Sequence, residues 1–349
     1  MKLIDAYLTK LETVVVNAGA DYVVLADSII HEQGGGQPLD IGFINGVKIV
    51  DVVDGKHFLK SHDFKAGDKV TVTIDWPNRY YLMRAHTGEH LFYQCLNRVK
   101  PVSVDKINLT ADECSLFISG AVSFDDLLKA QLMCNDLISN GMIVASSIGD
   151  DLSGVRIKSE RVKGDVIVVR IGDFDASACT GTHVKDISEI GFFLVTGFNS
   201  MGDNSCRIDF KVGSKAVSSA VINSASLLSV CYSLKLVPDT FVKSVTNAFN
   251  ERIELMRDVR KLSESVISLS DFSGSPIVRN FSGVSNDLLI KKAGELPGVV
   301  VFLNDTTLIV KGDDGLFNRL ITELNGKGGG KPGLKIGRVS NPDFSRISF

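Results

Sequence analysis

Residues 79–99 read RYYLMRAHTGEHLFYQCLNRV, and at this stretch the chain changes from strand patterns to a helical pattern. Apolar residues recur in it at intervals near three and four, the spacing that places side chains on one face of a helix. The positions with this spacing are Leu82, Ala85, His86, Leu91, Phe92, Cys95 and Leu96. Because Asp75-Trp76-Pro77 ends the preceding strand pattern, the sequence predicts a helix over residues 78–98.

The residues before this helix predict a small β domain. Short alternating runs rich in β-branched residues (YVVLAD, GVKIVDVVD and KVTVTIDW) are separated by Asn-Gly and Asp-Gly pairs, which favour tight hairpin turns. The Gly-rich segment GGGQPLDIG, at residues 34–42, lies among them. We therefore expect a β-barrel-like N-terminal domain over residues 1–76 that carries a Gly-rich loop.

The residues after the helix predict an α+β core. Strand-like runs (KINLTADECSLFISG, DVIVVRIGDF, EIGFFLVTGF and CRIDFKV) flank a second helical stretch, FDDLLKAQLMCNDLISNG, whose final glycine suits a helix C-cap. Helices packed on one face of an antiparallel sheet account for this order of elements. The predicted fold class is therefore α+β multidomain, with this core over residues 77–213.

A helical connector is predicted over residues 214–272, where the strand signals vanish. Its apolar residues recur every three or four positions, and Pro238-Asp239-Thr240 offers a helix start. The recurring residues are Val242, Val245, Phe249, Met256, Val259, Leu262 and Val266. We expect this connector to pack mainly on itself, with a homodimer formed through it or through the terminal domain as the alternative.

The terminal residues 273–349 predict an α/β Gly-rich domain. Strand and helix patterns (VVVFLNDTTLIVKG and GLFNRLITELNG) precede the basic segment GKGGGKPGLKIGRV. Cations on a glycine scaffold can neutralise phosphates without reading bases, whereas a solvated charge cluster is the alternative interpretation. The candidate phosphate-binding residues are Lys327, Lys331, Lys335 and Arg338.

The composition limits the class of protein. The chain has 349 residues, of which 44% are hydrophobic and 23% charged, as is typical of a soluble globular protein with more than one domain. The net charge of −3 argues against indiscriminate nucleic-acid binding. Six cysteines lack a framework spacing, so any special cysteine is a ligand or a nucleophile. We find no run of about 18 apolar residues and no secretion signal, and expect a cytoplasmic protein without a membrane partner.

Two pairs of residues suggest a metal site. His86 and His90 lie four positions apart on the predicted helix and project from the same face. Cys179 and His183, in CTGTH, form a second pair. Either pair alone is a weak signal, but two pairs among only six histidines favour Zn²⁺, which takes N and S ligands in tetrahedral geometry. Four protein ligands would make the site structural and three plus water would make it catalytic; the sequence leaves both open.

Three further polar residues are candidates for a role near these pairs. Glu89 in HTGEH is adjacent to the second histidine and points about 100° away from it, so the segment differs from the HExxH metalloprotease motif. Glu89 and Asp175 are candidate general bases, although solvated carboxylates are the favoured interpretation. Gln37 offers a donor and an acceptor beside glycines that allow close approach of a ligand, with a plain turn as the alternative.

Four blocks in this order resemble a known family: GGGQPLDIG, RAHTGEHL, CTGTHV followed by SEIGFFLV, and GKGGGKP. They are similar to the second-additional-domain editing proteins of the alanyl-tRNA synthetase group. The likeness is greatest to the freestanding alanyl-tRNA editing proteins called AlaX, in the long form with a C-terminal DHH-associated domain. It covers nearly the whole chain, and the combination of HxxxH, CxxxH and an upstream GGGQ loop is specific.

The resemblance implies a trans-editing hydrolase that cleaves the ester joining a wrong amino acid, chiefly serine, with glycine as a second candidate, to alanine tRNA. It also implies an RNA-binding terminal domain. Gln37 matches the family's loop glutamine near the reacting ester, and Ser28 falls where the family usually has a threonine that senses the substrate serine. The residues that match the family's zinc ligands are His86, His90, Cys179 and His183.

The chain departs from the family pattern at His31-Glu32-Gln33, where an aromatic-Pro-Glu sequence is usual, and at Thr180, where glycine is common.

Three other functions remain open. A zinc-containing tRNA-binding module without hydrolysis and an enzyme that edits seryl-tRNA for threonine would use the same motifs. A metal amidase acting on small molecules would leave the basic tail without a role.

Overall fold

The structure, a computed structural model, describes residues 5–148, 154–156, 166–202, 204–312, 314–340 and 342–343. It contains two compact units, Met1–Leu227 and Leu228–Phe349. The α+β multidomain class is confirmed, since a barrel, antiparallel sheets with helices and a terminal mixed sheet occur in the predicted order. The division into four domains at the predicted boundaries stays a prediction.

The N-terminal strands form a closed barrel in the order β1-β2-β5-β4-β3-β6. Asn45-Gly46 and Asp54-Gly55 make its tight turns, and all four residues have positive φ, as the Asn-Gly and Asp-Gly pairs predict. Alternate side chains fill the interior, among them Val23, Ile44 and Val72, which are fully buried. The strands are β1 (Lys10–Ala18), β2 (Tyr22–Leu25), β3 (Gly42–Ile44), β4 (Val47–Val53), β5 (Lys56–Leu59) and β6 (Lys69–Ile74).

The core is built on helix α1 (Trp76–Val99), which confirms the helix predicted over residues 78–98. The Asp75 side chain accepts a hydrogen bond from the Asn78 N–H and caps the helix. Helix α2 (Phe124–Asn140) begins with a capping box at Ser123 and ends at Gly141 with positive φ, as predicted for that glycine. Apolar residues of both helices pack against the sheet strands in one hydrophobic core.

Two antiparallel sheets complete this unit. The larger has the order β12-β13-β8-β7, and the smaller has the order β11-β10-β9. The strands are β7 (Ser103–Leu109), β8 (Cys114–Ser119), β9 (Val144–Ile148), β10 (Ile167–Ile171), β11 (Asp175–Ala178), β12 (Phe193–Gly202) and β13 (Ser205–Val212). Strand β11 ends immediately before Cys179, so it places the CTGTH segment at the end of the smaller sheet.

Two long helices follow, α3 (Gly213–Leu234) and α4 (Phe241–Leu269), with a 3-10 turn at Pro238–Thr240 before α4. Apolar side chains of α4 are exposed; Val242, for example, is 77% exposed and Leu269 is 87% exposed. The expectation that this connector packs mainly on itself is therefore wrong. Helix α3 is long and apolar enough to cross a membrane by length and composition, contrary to the expectation that the chain has no such run. These two criteria alone are weak evidence for a membrane span.

The second compact unit ends in a five-stranded mixed sheet of order β14-β15-β16-β18-β17, with β14 parallel to β15 and the other pairs antiparallel. Alternate residues of β15 face opposite sides, so Phe302 packs with Leu289 of α5 while Leu303 packs with Phe317 of α6. The elements are β14 (Ile277–Phe281), α5 (Asn286–Glu295), β15 (Val300–Asn304), β16 (Thr307–Lys311), α6 (Asp314–Glu323), β17 (Gly326–Lys331) and β18 (Leu334–Val339).

Candidate metal centre

The structure brings the four predicted ligands together. Their ligand atoms all lie within 4.8 Å of one another, and only Cys179 is partly exposed. The Cys179 Sγ atom lies 3.3 Å from His86 Nε2 and 3.4 Å from His183 Nε2. The residues of this cluster are His86, His90, Cys179 and His183.

Each imidazole of the cluster is held through its Nδ1 atom. His86 Nδ1 lies 3.1 Å from Gln37 Oε1, and His90 Nδ1 lies 3.1 Å from Asp175 Oδ2. Both acceptors are oxygen atoms without a proton of their own, so these Nδ1 atoms donate and the Nε2 atoms are left to face the cluster. Metal-binding histidines are usually oriented in this way by a carboxylate or carbonyl on the far side of the ring.

The third imidazole is oriented by a threonine. The Thr87 hydroxyl donates to the Met83 carbonyl at 3.0 Å, which leaves its oxygen to accept from His183 Nδ1 at 3.1 Å. The Val184 N–H also donates to this oxygen. Thr87 therefore fixes His183 from within helix α1, a role that its position inside the HTGEH segment did not predict.

The electrostatics of the cluster suit a cation. Burial alone would raise the pKa of the Cys179 thiol, but the neighbouring His86 and His183 hold it well below its usual range. Burial and the nearby His86 lower the pKa of His183 to about 4, which keeps its imidazole neutral. Burial lowers the pKa of His90, but hydrogen bonds to Asp175 and Cys179 raise it to about 10. The lowered pKa values of Cys179 and His183 favour the deprotonated forms that bind a metal.

Asp175 is buried, contrary to the expectation of a solvated carboxylate. It accepts hydrogen bonds from the Gln94 amide, the Ser177 hydroxyl at 2.7 Å and His90. Arg156 donates to Ser177 at 2.9 Å and lies 4.0 Å from the carboxylate. With these donors in place, Asp175 serves as an anchor for His90.

Gln37 joins the Gly-rich loop to the second ligand pair. Its Oε1 accepts from the Thr182 N–H at 3.0 Å, and its Nε2 donates to the Thr182 hydroxyl at 2.8 Å. Gly181 has no room for a side chain, because a Cβ atom there would lie 2.1 Å from His86 Cε1. The small residues of CTGTH thus allow the loop, the CTGTH segment and the helix to meet at His86.

A buried ion pair that sequence reasoning missed fastens the Gly-rich loop to helix α1. The Arg79 guanidinium forms two hydrogen bonds with the Asp40 carboxylate and donates to the Ile29 and Ala6 carbonyls. Asp40 also accepts from the His31 N–H. Arg79 lies seven residues before His86 on the helix, so this pair sets the position of the loop relative to the cluster. An Arg and an Asp so far apart in the sequence gave no recognisable signal.

Ser28 is held in the barrel rather than by the cluster residues. Its hydroxyl lies 2.8 Å from His57 Nε2 and accepts a hydrogen bond from the Ile30 N–H. His57 is buried, and burial lowers its pKa. The sensing role predicted for Ser28 stays a prediction.

The basic residues of the terminal sheet lie on two faces. In the β17–β18 pairing Lys327 stands opposite Arg338, and Lys331 shares their face. Lys335 lies on the other face, where its ammonium is 3.2 Å from the Asp314 carboxylate of α6. Only three of the four predicted phosphate contacts therefore share a surface.

Three imidazole nitrogens and one thiolate form a donor set that fits zinc. Zn–N and Zn–S bonds of about 2.0 to 2.3 Å in a tetrahedron place ligand atoms on the order of 3.5 Å apart. The observed 3.3 and 3.4 Å between Cys179 Sγ and two Nε2 atoms agree with this spacing. No oxygen-rich site of the kind that Mg²⁺ or Ca²⁺ needs surrounds the cluster among the described residues.

A buried Cys-His₃ cluster beside a Gly-rich loop, on an α+β core that follows a small barrel, is a candidate metal centre. Residues 166–209, which include Cys179 and His183, match the family "Threonyl and Alanyl tRNA synthetase second additional domain". This finding confirms the resemblance that the sequence motifs indicated.

Relatives along the rest of the chain agree with this match. The chain is 28% identical to the alanyl-tRNA editing protein AlaX-L of Pyrococcus horikoshii, over 96% of this chain and 93% of that protein. It is 28% identical to an alanine–tRNA ligase of Methanococcus maripaludis, over 95% of this chain but 41% of the ligase. An alanine–tRNA ligase of Pyrococcus abyssi is 30% identical over 76% of this chain and 31% of the ligase. The similarity thus extends over AlaX-L as a whole and over less than half of each ligase.

Proposed function

We propose that this chain is a zinc-dependent hydrolase that removes serine from mischarged alanine tRNA, with glycine as a second substrate. The observation that carries the proposal is the buried cluster of four ligand atoms, in a chain similar over 96% of its length to an alanyl-tRNA editing protein. The partner is then alanine tRNA, and the reaction is the hydrolysis of a carboxylic ester.

The residues divide into three roles. The cluster residues would hold the zinc ion, which when bound would act as a Lewis acid towards an ester carbonyl or a water molecule. Gln37, Asp175 and Thr87 orient three of the ligands through Nδ1. The loop glycines bring backbone N–H groups close to the substrate, where such groups stabilise charge that develops on the ester oxygen.

Discrimination between serine and alanine depends on one hydroxyl group. A site that hydrogen-bonds this hydroxyl rejects the analogue lacking it by about 10⁴ to 10⁵-fold, whereas a site that merely has room for it discriminates weakly. Ser28 is the proposed partner, with His57 as the residue that orients its hydroxyl. We expect Ser28→Ala to lower the ratio of seryl to alanyl hydrolysis rates, with bound zinc unchanged. An unchanged ratio would exclude this role.

The function is tested with alanine tRNA charged with serine, glycine or alanine, and with threonine tRNA charged with serine. The wild-type protein should release serine from alanine tRNA and spare the alanyl ester. A chelator and Cys179→Ala should each abolish release, while Cys206→Ala, a buried cysteine outside the cluster, should not. Stoichiometric zinc without release of serine would identify a binding module, and preference for the threonine tRNA would identify the other editing reaction.

A further inference from the structure

Glu89 stands between the two helical histidines in the order His86-x-x-Glu89-His90. This HxxEH order is the reverse of HExxH, and zinc hydrolases use both orders. In HExxH the glutamate is the general base for the attacking water. The spacing alone is a weak signal, since any residue can occupy that position of a helix, so the surroundings of Glu89 decide its role.

The Glu89 carboxylate is buried and has no hydrogen-bond partner. The residue is 0% exposed, contrary to the expectation of a solvated carboxylate. Neither Oε1 nor Oε2 has a hydrogen-bond partner among the described residues. Most buried polar groups in proteins are hydrogen-bonded, and a buried carboxylate without a partner is costly. Such a group is tolerated where a ligand or a reacting molecule supplies the missing contact.

The carboxylate also faces the correct side of the cluster. Its Oε2 atom lies 3.9 Å from His90 Nε2, the ring nitrogen opposite the one that is hydrogen-bonded to Asp175. Helix α1 therefore presents the two imidazoles and a free carboxylate to one small volume. Asp175, the other buried acid here, is already engaged by Gln94, Ser177 and His90.

We propose that Glu89 is a catalytic residue that accepts a hydrogen bond from the attacking water and receives its proton. The inference rests on the proposed hydrolysis of an aminoacyl ester. The water oxygen bonds to the ester carbonyl carbon as its proton passes to the Glu89 carboxylate. The bond between that carbon and the 3′ oxygen of the tRNA then breaks, and the 3′ oxygen keeps the electron pair and takes the proton from Glu89. The products are the free amino acid and tRNA with a 3′ hydroxyl, and the carboxylate is restored.

The test compares Glu89→Gln with the wild-type protein and with Glu12→Gln, a control at an exposed position of β1. Single-turnover release of serine from alanine tRNA, zinc per chain and affinity for alanine tRNA carrying a non-hydrolysable seryl amide are measured together. We expect Glu89→Gln to lower the rate by about 10² to 10⁴-fold, the usual contribution of a general base. Zinc content and amide affinity should stay at the wild-type level, as should all three quantities in the control.

A second variant separates chemistry from structure. Glu89→Ala leaves room for a small carboxylate, so added formate should raise its rate while leaving Glu89→Gln unaffected. Three results would overturn the proposal: a Glu89→Gln rate within threefold of the wild type, a rate loss explained by lost zinc, or no formate effect on Glu89→Ala. A wild-type protein that releases no serine would instead overturn the proposed function, and the catalytic role of Glu89 with it.

Discussion

At the scale of single residues, the cluster depends on the groups behind it. Gln37, Asp175 and Thr87 each bind one Nδ1 atom, so the orientation of each imidazole is fixed by a neighbouring side chain. The sequence predicted the four ligands because their spacing is a local property of a helix and a short segment. It did not predict Asp175 and Thr87 as anchors, because their contacts form between elements that are distant along the chain.

Asp175→Asn should weaken zinc binding about 10 to 100-fold, the usual cost of removing the residue that orients a ligand. An amide presents an oxygen acceptor in only one of its two orientations and carries no charge to complement the His90 N–H. Competition with a chromogenic chelator measures the affinity. Asp173→Asn, which changes an exposed carboxylate two residues away, is the matched control and should leave the affinity unchanged. Equal affinity in both variants would contradict the anchoring role.

His31 should make the folded protein sensitive to mild acid. Burial, which outweighs the nearby Asp40, lowers its pKa to about 4, whereas in the unfolded chain it titrates near the ordinary value of 6.5. A lowered histidine pKa means that the unfolded state binds the proton first, so its contribution to stability is complete above pH 6.5 and is lost towards pH 4. His31→Gln should therefore flatten the decline in the free energy of unfolding across that interval, measured by urea titration of the zinc-free protein. Parallel curves for variant and wild type would exclude this contribution.

At the scale of elements, helix α1 organises the site because it carries three of the site's attachments along its length. Arg79 binds the Gly-rich loop, His86 and His90 face the cluster, and Thr87 anchors the CTGTH segment. The helix itself was predictable from its apolar spacing. Its attachment to the loop was not, because an ion pair between residues 40 and 79 depends on how the barrel packs against the core.

Breaking this ion pair should be costly. Arg79→Met leaves the Asp40 carboxylate buried, with the His31 N–H as its remaining donor among the described residues, and such losses cost about 3 to 5 kcal/mol. The free energy of unfolding from urea titration gives the loss, with Arg98→Met at the other end of α1 as the control. The double variant Arg79→Met with Asp40→Leu should recover part of it, since no buried charge remains. A double variant as unstable as the sum of the single changes would argue against a direct pair.

Two carboxylates beside the cluster are buried, although the sequence predicted that both are exposed to solvent. Glu89 and Asp175 carry charge, and charged side chains are almost never fully buried unless paired, so solvent exposure was the reasonable expectation. Both are nevertheless buried, Glu89 on helix α1 and Asp175 on strand β11 of the smaller sheet. Whether a charged residue is buried depends on tertiary packing. At functional sites, charged residues are therefore often buried, contrary to the general rule that they are exposed.

At the scale of the whole molecule, the order of elements was predictable and the exposure of the helices was not. Alternating runs, turn pairs and helix caps each act locally, so the barrel, the core and the terminal sheet follow from the sequence. The apolar spacing of α4 indicated a buried face, yet residues such as Val242 and Leu269 are exposed. A periodic pattern shows that a face requires a partner, and it does not state which surface covers it.

The terminal sheet provides an internal control for tRNA binding. Lys327, Lys331 and Arg338 share one face of the β17–β18 pair, whereas Lys335 is paired with Asp314 on the other. If the shared face contacts phosphates, replacing its three cations with alanine should weaken binding of uncharged alanine tRNA. Each lost phosphate contact lowers the slope of log affinity against log salt by about 0.7 to 0.9, so the triple variant should lose about two to three units of slope.

Lys335→Ala should change neither the affinity nor the slope by a comparable amount, because its ammonium already has a carboxylate partner. Filter binding of tRNA across a range of salt concentrations measures both quantities, and zinc content checks that the other unit is intact. Deletion of residues 273–349 should reproduce the loss of slope seen in the triple variant. Equal slopes for the wild type and the triple variant would show that the basic face is a solvated charge cluster, and tRNA affinity would then have to come from residues 1–272.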